Sequence, residues 1–404
     1  MRVLLLCDGA ALDTGFAAVG RAVIRACRAR GWSVAQVALF DEAPDCDSRP
    51  YWEMGVRPYF PVQRGTVSGG FLRHALSTFE PDVLVLIRDP GSAATFYSNE
   101  WGPYADQLPT VLYAPLEGAP VLREFREAFG AATVAATYTE WASGRLREEA
   151  GLDVPAYLHG VDAATFYPWE SPVYRAEARR LLGWDDKFVV MYCARNAKRK
   201  NHDRLLRAAK LLLDAGMDDL LLYLHTTPFA GYSLGGWDLP QVAHYAGVPS
   251  EHVQYARQTD PVRGEEAGSL RQKYASADLY VHVAAVEGFG LPILEAMACG
   301  CPVVVPDDGG NMSEVAGDAA FARMRVRDWE TWFTGAQLAN CAPEDIAGII
   351  VEARRHPDLL AQRAAVGRAR ALTLPWEPMG EGVADACVRA VAAFGPRLSV
   401  GEVA

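Results

Sequence analysis

The sequence predicts an α/β protein built from two Rossmann-like domains. Three observations carry that expectation. Apolar runs of strand length alternate with helix-like patterns from the first residue onward, the series occurs twice at similar size, and 404 residues suit two domains at ~100–200 residues each. The runs are continuous rather than alternating, which is how strands read when helices cover both faces of a parallel sheet.

The first series opens with an apolar run at 3–7, stopped by Asp8. A loop-rich stretch over 8–15 leads to Val19, Val23 and Cys27, whose four-residue spacing marks a helix that Gly31 ends before a strand at 33–39. Further strands are predicted at 82–87, 110–113 and 133–136, with helices at 121–129 and 140–150. Residues 50–72 carry Tyr51, Trp52, Tyr59 and Phe60 among Pro and Gly and read as an aromatic loop. The second series has strands at 188–194, 220–224, 278–283 and 302–305, with helices at 203–213, at 239–246 and from Pro292. The polar, proline-containing stretch from Gly160 to Trp169 is the junction, so 1–165 and 166–375 are the expected domains. Ligands of such sheets bind at the carboxyl ends of the strands, which makes a cleft between two facing domains the expected site.

Composition narrows the function classes. Half the residues are apolar and 22% are charged, as in water-soluble globular chains. The formal charge of −11 repels phosphate backbones and anionic membranes, so nucleic acid is not an expected partner. Arg21, Arg25 and Arg28 on the first helix could touch lipid phosphates, but 1–165 holds 14 basic against 20 acidic residues, which favours a solvated face. The eight cysteines show neither a CxxC pair nor zinc-ligand spacing and read as reduced thiols. The run at 3–7 is too short for a signal peptide, and no stretch approaches the ~18 apolar residues of a membrane span. The expected location is the cytoplasm.

The chemistry concentrates in Glu287-Gly-Phe-Gly-Leu-Pro-Ile-Leu-Glu295-Ala-Met-Ala-Cys-Gly-Cys-Pro-Val. Pro292 suits a first helical position and Gly300 a helix stop, so Gly288 to Leu291 form a loop at a helix N-terminus. Free amides and the helix dipole there suit a phosphate. Glu287 precedes the loop and Glu295 lies on the first turn, so both can face one cleft. Taken alone, the segment also fits a plain strand–turn–helix crossover. Five lysines occur in the whole chain, and two of them, Lys198 and Lys200, fall beside Arg195 after a strand. Cations at the positive end of a helix are misplaced unless an anion joins them.

This pattern resembles the donor-site signature of the retaining glycosyltransferases of family 4, which have the two-domain GT-B fold: two Rossmann-like domains facing each other across a cleft. Asp13-Thr-Gly15, His159-Gly-Val-Asp162 with Phe166 and Pro168, Arg195 with Lys198-Arg-Lys200-Asn201, and Gly309-Gly310-Asn-Met-Ser-Glu314 match in the right order. The match covers nearly all of the second domain and short stretches of the first.

The resemblance implies a role for each matching residue. Arg195 and Lys200 grip the diphosphate of a nucleotide sugar and stabilise the charge on the leaving oxygen. Glu295 accepts from the ribose hydroxyls, and Glu287 holds the transferred sugar beside the amides of Phe289, Gly290 and Leu291. Gly15 lets the backbone approach the phosphates. His159 is either catalytic or a satisfied structural residue. Many members place a His or Asp in the first domain, where this chain reads Tyr113-Ala-Pro-Leu-Glu117-Gly118. Glu117 is the candidate substitute, or an ordinary acid ahead of a helix. The aromatic loop stacks on a sugar or packs onto the domain. The helical pattern over 376–395 resembles the segment by which such folds cross back to the first domain.

These roles amount to a metal-independent retaining glycosyltransferase that moves a hexose from a UDP- or GDP-linked donor to an acceptor hydroxyl on a glycan, a lipid-linked sugar or a small molecule. No cofactor is expected beyond the nucleoside diphosphate sugar as co-substrate. Asp45-Cys46-Asp47 has the DxD spacing of metal-dependent glycosyltransferases but lies in a proline-rich loop far from the donor motif. Two alternatives stay open: an idle nucleotide-sugar-binding scaffold and a GT-B-type sugar-nucleotide epimerase. A phosphorylase of this architecture needs a pyridoxal-binding lysine late in the chain, and none follows Lys273.

Overall fold

The computed structural model describes residues 1–41, 48–63, 65–229, 235–256, 266–332 and 335–394. Asp45-Cys46-Asp47 lies outside them. The chain divides into two units, Met1–His159 with the chain from Trp376, and Gly160–Pro375.

The first unit holds a six-stranded sheet of β1 (Arg2–Asp8), β2 (Ser33–Leu39), β3 (Val56–Val62), β4 (Val83–Ile87), β5 (Thr110–Ala114) and β6 (Val134–Thr137). All neighbours run parallel, in the order β3-β2-β1-β4-β5-β6. Its inner strands β1, β4 and β5 are mostly apolar and buried, as helices on both faces require, and Leu4, Leu6, Val37, Leu84, Leu86 and Leu112 meet in one core. The helix Gly15–Ala29 starts where Thr14 accepts from the Ala17 amide at 3.1 Å. The helix Glu377–Phe394 packs on it, and Arg30 pairs with Glu381 and with Asp385 at 2.8 Å.

Two expectations for this unit need correction. Residues 50–72 are not an open aromatic loop: they contain the short helix Arg49–Glu53, the edge strand β3 and the start of the helix Gly69–Phe79. Tyr51 and Tyr59 stack at 4.0 Å and both hydrogen-bond Asp41, which turns these rings inward, while Trp52 stays exposed. Prolines at 58 and 61 hid the strand, since β3 pairs only with β2 and tolerates them as an edge strand. Arg21 is not part of a solvated arginine face. Its guanidinium donates to the carbonyls of Ala10 (3.0 Å) and Leu12 (2.7 Å) and holds the loop after β1.

The second unit repeats the design with β7 (Phe188–Cys193), β8 (Leu220–His225), β9 (Val253–Tyr255), β10 (Leu279–Val281), β11 (Val303–Pro306) and β12 (Ala322–Met324). They are parallel in the order β12-β11-β10-β7-β8-β9, the same winding as the first sheet. A hairpin of β13 (Val326–Thr331) and β14 (Gln337–Cys341) follows. In both sheets the winding reverses beside the first strand, and crevices for ligands form at the carboxyl ends there. In the second unit that point lies between β7 and β10, so the segments after Cys193 and Val281 are the ones it exposes.

Candidate active site

Two of the expected residues meet at that switch point. After β7 the chain makes a tight turn at Lys198–Lys200 and leaves it through Asn201 at φ 54° into the helix His202–Asp214. After β10 it runs through His282 to Glu287. Two hydrogen bonds join these segments: the Ala285 amide donates to the Arg199 carbonyl at 2.9 Å, and Arg199 Nη1 donates to the Val286 carbonyl at 3.0 Å. The Tyr192 hydroxyl donates to the Lys200 carbonyl at 2.8 Å.

With the backbones fixed in this way, Lys200 Nζ lies 2.6 Å from Glu287 Oε1, and both side chains are largely buried. Sequence reasoning put these residues in different subsites, on diphosphate and on sugar; the fold makes them an ion pair. Glu287 Oε1 also lies 3.2 Å from His282 Nε2, and Asn311 Nδ2 donates to the Glu287 carbonyl at 2.6 Å. Burial pushes the Glu287 carboxyl up, but the Lys200 ammonium, the His282 hydrogen bond and Arg199 more than offset this and hold it well below the usual carboxylate range. Glu287 is therefore a fixed anion.

Glu295 has the opposite environment. It stands on the helix Leu291–Ala298, in the second turn rather than the expected first, because the helix begins at Leu291. The Tyr274 hydroxyl donates to its Oε2 at 3.1 Å. Burial raises its carboxyl to about 7 and the Tyr274 hydrogen bond only partly opposes that, although part of the side chain still meets solvent. Gly290 enters the same helix at φ +101°, where a Cβ would approach Ile293 Cδ1 at 2.9 Å, and Phe289 is buried beside it. The amides of Phe289, Gly290 and Leu291 thus sit at a helix N-terminus, as expected.

Arg195 follows β7 and is exposed, and among the described residues no hydrogen bond or ion pair holds its guanidinium. Lys198 is also exposed, 5.7 Å from the Trp237 ring. The remaining candidates belong to the first unit. Gly15 is the exposed first residue of its helix, and Glu117 is half-buried after β5. His159 is buried among Tyr138 (4.1 Å), Trp376 (5.6 Å) and Tyr113 (5.8 Å), and burial holds its imidazole down to about 3, so it is neutral at physiological pH.

Sequence reasoning missed His282, Tyr280, Tyr274 and the role of Asn311. A signal existed for two of them. Tyr280 and His282 sit two residues apart at the end of the apolar run that forms β10, so both project from one face.

Residues 187–335 match the family model of the glycosyl transferases group 1. A D-inositol 3-phosphate glycosyltransferase of Salinispora arenicola is 30% identical over 247 residues, which is 59% of this chain and 50% of that protein. A GDP-mannose-dependent alpha-(1-6)-phosphatidylinositol monomannoside mannosyltransferase of Mycolicibacterium smegmatis is 34% identical over 158 residues, 37% of each chain. The matched region spans about half the length of the first of these relatives, or less. Among solved structures, Anabaena HepE in complex with UDP aligns over 95% of this chain and 99% of its own at TM-score 0.68 and 17% identity. Sucrose-phosphate synthase from Thermosynechococcus elongatus aligns over 97% and 100% at TM-score 0.72 and 16% identity. At such identities the likeness concerns the fold, and the fold is GT-B: two parallel, doubly wound units.

Proposed function

We propose that this chain is a retaining glycosyltransferase that moves a hexose from a UDP- or GDP-linked donor to an acceptor hydroxyl. The observation that carries the reading is the buried Lys200–Glu287 pair at the switch point of a group 1 glycosyl transferase unit, next to the amide-lined loop of Phe289, Gly290 and Leu291. In this reading the exposed Arg195 and the Lys200 ammonium take the diphosphate, Glu295 accepts from ribose hydroxyls, and Glu287 holds a hydroxyl of the transferred sugar. The bond from the anomeric carbon to the leaving phosphate oxygen breaks as the acceptor oxygen attacks the same face. The acceptor proton passes to that phosphate oxygen, so no protein nucleophile takes part. Arg195 and Lys200 supply the charge that a divalent ion would otherwise supply, which is why we propose metal independence and no cofactor beyond the co-substrate.

The relatives support the choice of donors: one is named GDP-mannose-dependent, and HepE structures hold UDP and UDP-glucose. For the first unit the proposal retains Gly15 and Glu117; the aromatic surroundings of His159 support packing as its role. Among the described residues the cysteines are unbridged, which suits the cytoplasm, and no helix is long and apolar enough to cross a membrane.

The test is a panel of UDP-, GDP- and ADP-sugars scored for thermal stabilisation and slow hydrolysis, with the anomeric configuration of the product read by NMR and EDTA added to one arm. We expect turnover of at least one donor with retention, unchanged by EDTA. Inversion or strict dependence on a divalent ion defeats the reading, and binding without turnover to any acceptor favours an idle nucleotide-sugar-binding protein.

A further inference from the structure

One oxygen of Glu287 is already engaged inside the protein. Oε1 accepts from Lys200 Nζ at 2.6 Å and lies 3.2 Å from His282 Nε2, so a ligand hydroxyl is left the other oxygen, Oε2. An ionised carboxylate only accepts, which assigns the proton of the second contact to Nε2. The other ring nitrogen, Nδ1, lies 3.0 Å from the Tyr280 hydroxyl. That hydroxyl also lies 3.2 Å from the Cys193 carbonyl at the end of β7. Tyr280 and His282 are fully buried, and the His282 amide donates to the Val304 carbonyl at 2.8 Å, so the sheet pins the ring where it starts.

The two donors on Oε1 differ in what else they can do. Lys200 is a point charge on a flexible four-carbon stem, and a bound diphosphate competes for it. His282 is a short, rigid ring at the end of β10, with its tautomer set by the Glu287 carboxylate that it faces, and it stays in place when Lys200 turns toward a phosphate. Burying an imidazole is costly unless its nitrogens find partners, and here each has one within hydrogen-bond distance, Glu287 Oε1 at 3.2 Å and the Tyr280 hydroxyl at 3.0 Å.

We propose that His282 is a positioning residue for sugar transfer: through Nε2 it holds the Glu287 carboxylate so that Oε2 faces the transferred sugar while Lys200 serves the diphosphate. This rests on the reading of Glu287 as the sugar-facing carboxylate.

The test uses the full chain with His282→Phe and His282→Gln. With the donor that the wild type turns over, His282→Phe lowers kcat about 10- to 100-fold, the scale of a misplaced reacting group, and leaves the Kd of the free nucleoside diphosphate unchanged. His282→Gln, whose amide nitrogen can reach the position of Nε2, recovers most of kcat. Equal losses in kcat and nucleotide affinity, or no recovery with Gln, overturn the proposal. A second arm reads the contact without activity. The drop in urea midpoint caused by His282→Phe should shrink by at least half in a Glu287→Ala background, which removes the acceptor, whereas equal drops in both backgrounds refute the contact. Should His282→Phe not fold, His282→Asn, too short to reach Oε1, replaces it in both arms. If the wild type turns over no donor, the proposed function fails while the urea comparison still decides whether His282 holds Glu287.

Discussion

Burial acts on both glutamates of the site, but what opposes it differs. At Glu287 the Lys200 ammonium at 2.6 Å more than offsets it, whereas at Glu295 the opposing group is the neutral hydroxyl of Tyr274 at 3.1 Å. Replacing Glu287 by Gln leaves a buried ammonium without its counter-charge, which should cost ~3–5 kcal/mol of stability. Because the Glu287 carboxyl is lowered in the folded chain, its contribution is fully present above the ordinary value of 4.5 and lost as pH falls through the folded value. Urea midpoints of wild type and Glu287→Gln should therefore differ most near neutrality and converge in acid; a gap that persists undiminished at pH 2–3 contradicts the pairing. Glu295 works in the other direction. With its carboxyl near 7, a nucleotide that needs the ionised form as a double acceptor should bind more tightly as pH rises from 6 to 8. Calorimetric titration of Glu295→Gln should lose that slope, and a slope that survives the substitution belongs to the nucleotide's own phosphate.

Elements translate these side chains into positions. Gly290 starts the helix Leu291–Ala298 at φ +101°, a conformation that costs an L-residue ~1–2 kcal/mol. Gly290→Ala should lower stability by that amount and weaken nucleoside diphosphate binding, because the loop amides shift with it; unchanged binding would detach the loop from the phosphates. Gly380 shows a glycine retained for packing. It lies inside the helix Glu377–Phe394, where Ala is normally better by ~1 kcal/mol. A Cβ there would meet the Ala22 carbonyl oxygen at 2.7 Å and Ala26 Cβ at 3.1 Å, and forcing packed helices apart costs ~1–3 kcal/mol. The contact with backbone outweighs the propensity, so Gly380→Ala should lower the melting temperature. A rise would show that the helix pair adjusts freely.

At the scale of the molecule, each unit has its own sheet and the chain returns to the first unit after the second is complete. Met379, Val383, Ala384, Ala386, Cys387 and Ala390 of the returning helix are buried. Truncation before Trp376 should uncover the first unit's apolar face and remove its cooperative unfolding. The transition of the second unit, recognised by its shift with added nucleotide, should survive. Calorimetric scans of the truncated chain with and without UDP or GDP check this, and joint loss of both transitions would mean that the units fold as one.

The α/β class, most strands and the residues of the candidate site were legible in the sequence because each rests on local chemistry. Continuous apolar runs report burial on both faces, and Gly290 with Pro292 reports a helix start. Arg195, Lys200 and Glu287 are polar residues in places where a strand has just ended. What could not be read depends on distant segments meeting. Lys200 and Glu287 are far apart in the chain, and only the adjacency of β7 and β10, set by the winding of the sheet, makes them a pair. The strand β3 was hidden by prolines that matter less at an edge, and being at an edge is a property of the sheet. The tuning of the two carboxyls was equally invisible, since a glutamate's residue type is local while its burial and its counter-charge are properties of the assembled structure. Sequence alone thus determined which charged groups and loop amides this protein places after its strands, and tertiary structure decided which of them face one another and in what charge state.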